Sequence, residues 1–163
     1  DVILIPEIDY SLESVCETVL QRRESGRTFS IVVVSEGVKT DEGGFVSRGR
    51  VEESTDQLRL GGIGVWLANA IEEETGSESR AVVLGHLQRG GTPTARDRVL
   101  ATRFGREAMA CAARGEFGRM VALRGNRIET VPIDEVANCQ RSVNPDGEIV
   151  QAARSVGTSF GDD

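Results

Sequence analysis

RAVVLGHLQRGGTP, residues 80–93, is the stretch that decides the fold class. Residues 81–84 form a short apolar run with two valines, which is typical of a strand buried on both faces of a sheet. A glycine-rich turn follows over residues 85–91, and Thr92 and Pro93 are predicted to open a helix as its N-cap and first helical residue. This order of strand, turn and helix indicates a parallel α/β arrangement, in which ligands bind where strands end.

Cationic side chains make this turn a candidate site for an anion. It holds His86, which is the only histidine of the chain, and Arg89 three residues later. Backbone N–H groups in such a turn and the N-terminus of the following helix favour anions. A lone loop histidine is more often simply exposed or hydrogen-bonded, but three polar groups around one glycine-rich turn favour a functional role. A structural role for His86 and a phosphate-binding role therefore stand as equal alternatives. The spacing pairs His86 with Arg89 and leaves Arg80 apart, at the other end of the predicted strand.

Strand-like and helix-like patterns alternate before this stretch. Residues 2–5 and 29–35 are apolar runs, and the second has the continuous apolar centre of a central parallel strand. Between them, Ser11 as N-cap and an apolar stripe at helical spacing predict a helix that Gly26 closes. A second helix is predicted from residue 63 onward, with an acidic run on its solvated side and Gly76 at its end.

Glu36 stands at the carboxyl end of the second predicted strand. A carboxylate at that edge of a parallel sheet has the position of a ligand contact. It could equally cap or pair within a loop, and the position alone leaves both alternatives open.

The rest of the chain gives coarser signals. Residues 38–62 are rich in glycine and mixed charges and predict a long loop or an insertion hairpin, which in a compact domain is usually functional or mobile. Downstream we predict a helix over residues 94–114, a hairpin over 119–131, a short helix over 132–136, a last helix over 148–156 and a frayed tail over 161–163. The last helix is expected to turn four apolar residues inward: Ile149, Ala152, Ala153 and Val156.

Composition narrows the possible partners. The net charge of −7 and the isoelectric point near 4.9 argue against nucleic acid or an anionic membrane as a partner, because both would repel the chain. The sequence contains no run of 18 apolar residues, so no membrane span is predicted. The three cysteines lie far apart in the sequence and lack the spacing of zinc ligands. Such a sparse, odd number of cysteines indicates a reducing compartment such as the cytoplasm.

Residues 84–101, LGHLQRGGTPTARDRVLA, closely resemble the 6-phosphofructokinase family over eighteen consecutive positions. The segments 5–7, 34–37 and 143–145 fall in the order of the same family, so the resemblance covers the chain and places it in the C-terminal half of such an enzyme. It implies a partial phosphofructokinase-like α/β fold, a mainly parallel sheet with helices on both faces. It also implies three segments: a sugar-phosphate-binding domain, a return to the donor domain, and a final helix and tail (1–86, 87–142 and 143–163).

The resemblance assigns roles to four residues. The position of Glu36 in the family contacts the fructose ring, and the positions of His86 and Arg89 bind the sugar and its 6-phosphate. The arginine that opens the preceding strand, here Arg80, binds the 6-phosphate of the neighbouring subunit. A homo-oligomer, tetramer or dimer, is therefore expected. Glu7 and Arg27 are candidate contacts of a nucleotide effector.

The implied activity is phosphoryl transfer to O1 of fructose 6-phosphate in glycolysis, with Mg²⁺ and with ATP or pyrophosphate as donor. The family's catalytic Thr-Ile-Asp-Asn-Asp segment and its donor-binding Gly-Gly-Asp segment do not occur in these residues. The chain is therefore expected to be a fragment that is inactive alone, and the donor stays open. The alternative is a non-catalytic, sugar-phosphate-binding regulatory subunit. A generic nucleotide-binding module is not supported, because the sequence contains neither the glycine-rich motif of such modules nor a Walker A segment.

Overall fold

We describe a computed structural model that covers residues 1–40, 43–44, 46–50, 58–60, 62–137, 139 and 141–162, with the backbone alone for 47–50 and 58–60. The chain divides into two compact units, which are described separately: the first unit is Asp1–Val83 with Ser142–Asp163, and the second is Leu84–Arg141. The helices are α1 (Leu12–Glu24), α2 (Ile63–Thr75), α3 (Ala95–Ala113), α4 (Ile133–Val136) and α5 (Glu148–Ser155), and a 3₁₀ helix spans Gly85–Arg89. The strands are β1 (Val2–Leu4), β2 (Val32–Val34), β3 (Ser47–Arg50), β4 (Leu58–Leu60), β5 (Arg119–Arg124) and β6 (Arg127–Pro132).

The first unit is built on the parallel pair β1 and β2, in which Val2 lies opposite Val32. As predicted, α1 begins at Ser11, whose hydroxyl accepts a hydrogen bond from the Ser14 amide at 3.1 Å. This contact satisfies one of the amides that a helix N-terminus leaves without a partner. The predicted end of α2 is also confirmed, because Gly76 takes the left-handed conformation (φ +64°) that ends a helix.

Helices cover both faces of β1, as expected. Alternate residues of a strand point to opposite faces, so Val2 and Leu4 join the buried cluster formed by α1 and α2. Ile3 and Ile5 pack on the other face, against the cluster that contains Val150 of α5.

Gly161 and Asp162 are not frayed, contrary to the prediction for 161–163, and residue 163 lies outside the described residues. Val2 pairs with Ser159 in a parallel bridge, the amide of Ile3 donates to the Ser159 carbonyl at 3.0 Å, and the amide of Ser11 donates to the Gly161 carbonyl at 2.8 Å. Phe160 between them is 3% exposed. The tail therefore extends the sheet beyond β1, and the short sequence signal missed it because its partners lie more than 140 residues away.

The inward face of α5 was also predicted incorrectly. Val150 is buried and Ala153 packs beside it, whereas Ile149 and Val156 are 83% and 80% exposed. A short helix with apolar residues around much of its circumference permits two choices of buried face. Here the buried Phe160 lies with Val150 in one cluster, and this tertiary contact selects the face.

The predicted strand over residues 81–84 is absent from the described structure. These residues form no ladder with any described strand, and Val82, Val83 and Leu84 are 73%, 54% and 49% exposed. An apolar run becomes a buried strand only when neighbouring strands pair with it and helices cover it. The described residues supply neither for this segment.

In the second unit, α3 packs beside the antiparallel hairpin of β5 and β6, which the sequence predicted together with α4. The start of α3 differs from one prediction. Thr94 is the N-cap rather than Thr92, because Thr94 and Asp97 form a reciprocal capping box. Along α3, Cys111 is buried, Leu100 and Phe104 are partly buried, and Ala108 is exposed.

Within residues 38–62, β3 and β4 pair antiparallel, so the hairpin alternative for this segment is confirmed where the structure describes it. Residues 41–42, 45, 51–57 and 61 of the segment lie outside the described residues. None of the helices that the structure describes is long and apolar enough to cross a membrane.

Candidate functional site

Glu36 lies in a tight turn directly after β2. The turn is closed by a hydrogen bond from the Val38 amide to the Ser35 carbonyl at 3.1 Å. The Glu36 side chain is exposed, and no hydrogen bond or ion pair of its carboxylate is found among the described residues. A carboxylate in this state is available to accept hydrogen bonds from the hydroxyl groups of a ligand.

The turn that carries Glu36 packs against the segment after β1. A Cβ atom added at Gly37 would lie 2.9 Å from Cγ of Pro6, which is closer than side chains approach. The absence of a side chain at residue 37 thus allows the two segments to meet at the carboxyl edge of the sheet. The sequence reasoning missed this contact, since no local signal links residues that are 31 positions apart.

The two effector candidates, Glu7 and Arg27, lie beyond opposite ends of the parallel strands. Glu7 follows β1, and its Oε1 accepts a hydrogen bond from the Val143 amide at 2.9 Å. Arg27 precedes β2 and is exposed. Because β1 and β2 are parallel and three residues long, the strands alone separate these positions by about 10 Å. Glu7 thus also anchors the returning segment of the first unit.

Arg80 is exposed on the extended segment after α2. Its guanidinium pairs with the carboxylate of Glu78, and both side chains are at least 75% exposed. An ion pair in open solvent contributes little to stability. Arg80 can therefore exchange this partner for an anionic ligand at small cost.

His86 and Arg89 share the 3₁₀ helix that replaces the predicted turn. A 3₁₀ helix has 3.0 residues per turn, so side chains three positions apart lie on the same side. Both side chains are exposed, and neither has a hydrogen bond or ion pair within the described part of the chain. Gly91, with φ +102°, turns the backbone out of this helix toward α3. This geometry favours the pairing of His86 with Arg89, which stays a prediction.

The N-terminus of α3 already carries a negative charge. The Asp97 carboxylate accepts hydrogen bonds at 2.8 Å from both the backbone amide and the hydroxyl of Thr94. The Thr94 hydroxyl is the main cause that holds the pKa of Asp97 below its ordinary value, so Asp97 is ionised at neutral pH. An anion bound near this turn would consequently be held by the cationic side chains of the 3₁₀ helix rather than by the N-terminus of α3.

The four proposed site residues fall in different units. Glu36 and Arg80 belong to the first unit, and His86 and Arg89 belong to the second. His86 and Arg89 lie three positions apart in one 3₁₀ helix. Among the described residues, no three His, Cys, Asp or Glu side chains cluster as potential metal ligands.

Comparisons with known proteins point to one family. The family model described as phosphofructokinase matches residues 1–112. An ATP-dependent 6-phosphofructokinase of Chloroflexus aurantiacus is 49% identical over all 163 residues, and a pyrophosphate–fructose 6-phosphate 1-phosphotransferase of Amycolatopsis methanolica is 50% identical over 146 residues, or 90% of this chain. The chain spans only 44% and 42% of the lengths of these two relatives.

A solved structure supports the fold class. The crystal structure of a pyrophosphate-dependent phosphofructokinase from Nitrosospira multiformis aligns with a TM-score of 0.61 and 25% identity, over 88% of this chain and 34% of that one. The α/β fold class expected from the sequence is confirmed by this likeness.

Proposed function

The chain belongs to the phosphofructokinase family, and we propose that it supplies the fructose 6-phosphate site of a 6-phosphofructokinase. The complete enzyme would transfer a phosphoryl group to O1 of fructose 6-phosphate, giving fructose 1,6-bisphosphate in glycolysis. One observation carries the proposal for this chain: His86 and Arg89 project from the same side of an exposed 3₁₀ helix and have no partner within the described residues. The similarity to both ATP- and pyrophosphate-dependent enzymes supports either donor.

The residue types fit the proposed substrate. The planar guanidinium of Arg89 can form two parallel hydrogen bonds with the oxygens of the 6-phosphate. His86 adds a donor beside it, with a charge that depends on pH. The Glu36 carboxylate accepts hydrogen bonds from sugar hydroxyl groups. These groups hold and orient the acceptor, which is the main contribution that a protein makes to phosphoryl transfer.

Arg80 is proposed to bind the 6-phosphate held by a neighbouring subunit. Its exposed position on the first unit and its weak pairing with Glu78 support a contact outside its own chain. The active form would then be a homo-oligomer, a tetramer or a dimer, whose substrate site lies at a subunit interface.

The donor and Mg²⁺ would be bound by residues outside this stretch. Bound Mg²⁺ would neutralise charge on the transferred phosphoryl group. The catalytic Thr-Ile-Asp-Asn-Asp and donor-binding Gly-Gly-Asp segments of the family are not part of these 163 residues. We therefore expect the chain alone to bind sugar phosphate without catalysing transfer, and we place the complete enzyme in the cytoplasm. Glu7 and Arg27 remain proposed effector contacts.

An activity assay of the complete protein tests this proposal. The protein is incubated with Mg²⁺, with either ATP or pyrophosphate, and with fructose 6-phosphate or fructose as the acceptor. Transfer to fructose 6-phosphate with one of the donors, and much weaker transfer to fructose, is the expected result. Tight binding of fructose 6-phosphate without transfer would instead favour a regulatory subunit, and neither binding nor transfer would refute the proposed site.

A further inference from the structure

A groove in the second unit combines arginines with an apolar wall. It runs between α3 and the turn of the β5–β6 hairpin. Its basic end, a hollow of about 390 Å³, is lined by Arg103, Arg106 and Arg127. Its other end, about 360 Å³, has an apolar wall of Val99, Leu100 and Leu123 and is also lined by Arg96 and Arg103. The two hollows share Arg103 and Asn126, so they form one continuous surface, which we call the arginine groove.

The local charge opposes that of the whole chain. The second unit contains ten arginines and six carboxylates, a net charge of +4 with His86 neutral, although the chain carries −7. Three of those arginines line the basic end together with one carboxylate, Glu107. Like charges on facing elements repel one another, and a bound anion would offset this repulsion.

The contacts of these arginines leave charge available for a ligand. Arg103 donates to the Asn126 carbonyl at 2.7 Å, which ties α3 to the hairpin turn. Arg106 pairs at 3.2 Å with Glu107, but this carboxylate is shared with Arg114 at 3.3 Å. The Arg127 guanidinium has no hydrogen bond or ion pair to any residue that the structure describes. Arg106 and Arg127 therefore offer two guanidinium groups from two elements to one space.

We propose that the arginine groove binds an organic phosphate, with the phosphate between Arg106 and Arg127 and an apolar or aromatic body against Val99 and Leu123. The combined volume suits a small molecule. Guanidinium groups are the preferred partners of phosphate oxygens, and the apolar end distinguishes this ligand class from inorganic phosphate. The groove contains none of the residues proposed for fructose 6-phosphate, so this inference goes beyond the proposed function and stands apart from it.

Calorimetric titration of the complete protein with 1-naphthyl phosphate tests the proposal, with saturating fructose 6-phosphate present to fill the sugar site. We expect saturable binding that Arg127→Gln or Arg106→Gln weakens about tenfold, the effect of losing one charged hydrogen bond. Arg124→Gln is the matched control, because Arg124 lies on the same hairpin but pairs with Glu129 outside the groove. It should change the Kd less than twofold.

The two ends of the groove are tested separately. Leu123→Ser should weaken 1-naphthyl phosphate while leaving the affinity for inorganic phosphate unchanged. Absence of saturable binding, equal weakening by Arg124→Gln, or 1-naphthol binding as tightly as its phosphate would overturn the proposal. Loss of binding in Arg89→Ala with Arg127→Gln unaffected would place the ligand at the sugar site and equally overturn it. Circular dichroism spectra of all variants, compared with wild type, verify that they are folded.

Discussion

Replacement of Phe160 by alanine should strongly destabilise the first unit. The ring is 3% exposed and lies in the cluster that contains Ile8 and Val150. Truncation of a buried phenylalanine to alanine costs about 3–5 kcal/mol, because apolar contacts are lost and a cavity remains. The Arg154 guanidinium lies 4.8 Å from the ring centroid, and loss of this contact adds about 0.5–1 kcal/mol. The expected loss is therefore about 3.5–6 kcal/mol, a large share of the stability of an ordinary domain.

Urea denaturation followed by circular dichroism measures this loss, with hydrogen exchange at the amides of Ile3 and Ser11 as a local probe. Both amides donate to carbonyls of the tail, so their protection should fall together with the stability. Phe117→Ala is the matched control, because Phe117 is 80% exposed and should change stability by less than about 0.5 kcal/mol. A loss below about 1 kcal/mol for Phe160→Ala, or unchanged protection of Ile3, would refute the docked tail.

Three further predictions concern the cap, the tail and the subunit interface. Thr94→Ala removes the N-cap of α3 and should cost about 1 kcal/mol in urea denaturation; no change would contradict the capping box. Hydrogen bonds from Arg154 hold the pKa of Asp162 below its ordinary value, so the stabilisation is present at neutral pH and is lost as the pH falls through and below the ordinary aspartate range. Melting temperatures between pH 3 and 7 should show this dependence in wild type and less of it in Asp162→Asn; identical profiles would count against the pair. Mixed oligomers of Arg80→Ala and His86→Ala subunits should regain activity that neither variant has alone, and no recovery would place both residues in the same site of one subunit.

Elements with local signals were predictable from the sequence. Ser11 marked the start of α1, Gly76 marked the end of α2, and the Gly125-Asn126 turn joined the two strands of the hairpin. The start of α3 was predictable in principle. Thr94 followed three residues later by Asp97 is the spacing of a capping box, whereas Thr92 lacks a carboxylate at that distance.

Elements that depend on distant partners were not predictable. The tail around Phe160 docks on β1 through residues at the other end of the chain, and this contact also decided which face of α5 is buried. Residues 81–84 have the composition of a buried strand but form no strand here, because strand formation requires a neighbouring strand and no described strand pairs with them. Composition reports the propensity of a segment and carries no information about its partners.

The proposed site shows the same division. The pairing of His86 with Arg89 followed from their spacing, and the 3₁₀ helix places them on one side as that spacing required. The contact of Gly37 with Pro6 beside Glu36 arises from packing between distant segments. The capping of α3 by Asp97 places a negative charge at the helix N-terminus. Neither feature was predicted from the sequence.

The Michaelis constant of the complete enzyme for fructose 6-phosphate, compared between wild type and Arg89→Ala, tests the central claim most directly. Loss of a charge-assisted phosphate contact should weaken substrate binding by about 2–4 kcal/mol. The Michaelis constant should therefore rise roughly 30- to 1,000-fold. Arg124→Ala on the β5–β6 hairpin serves as the control, because Arg124 pairs with Glu129, and it should leave the Michaelis constant unchanged. A Michaelis constant for Arg89→Ala equal to that of wild type would contradict the assignment of the sugar-phosphate site to this chain.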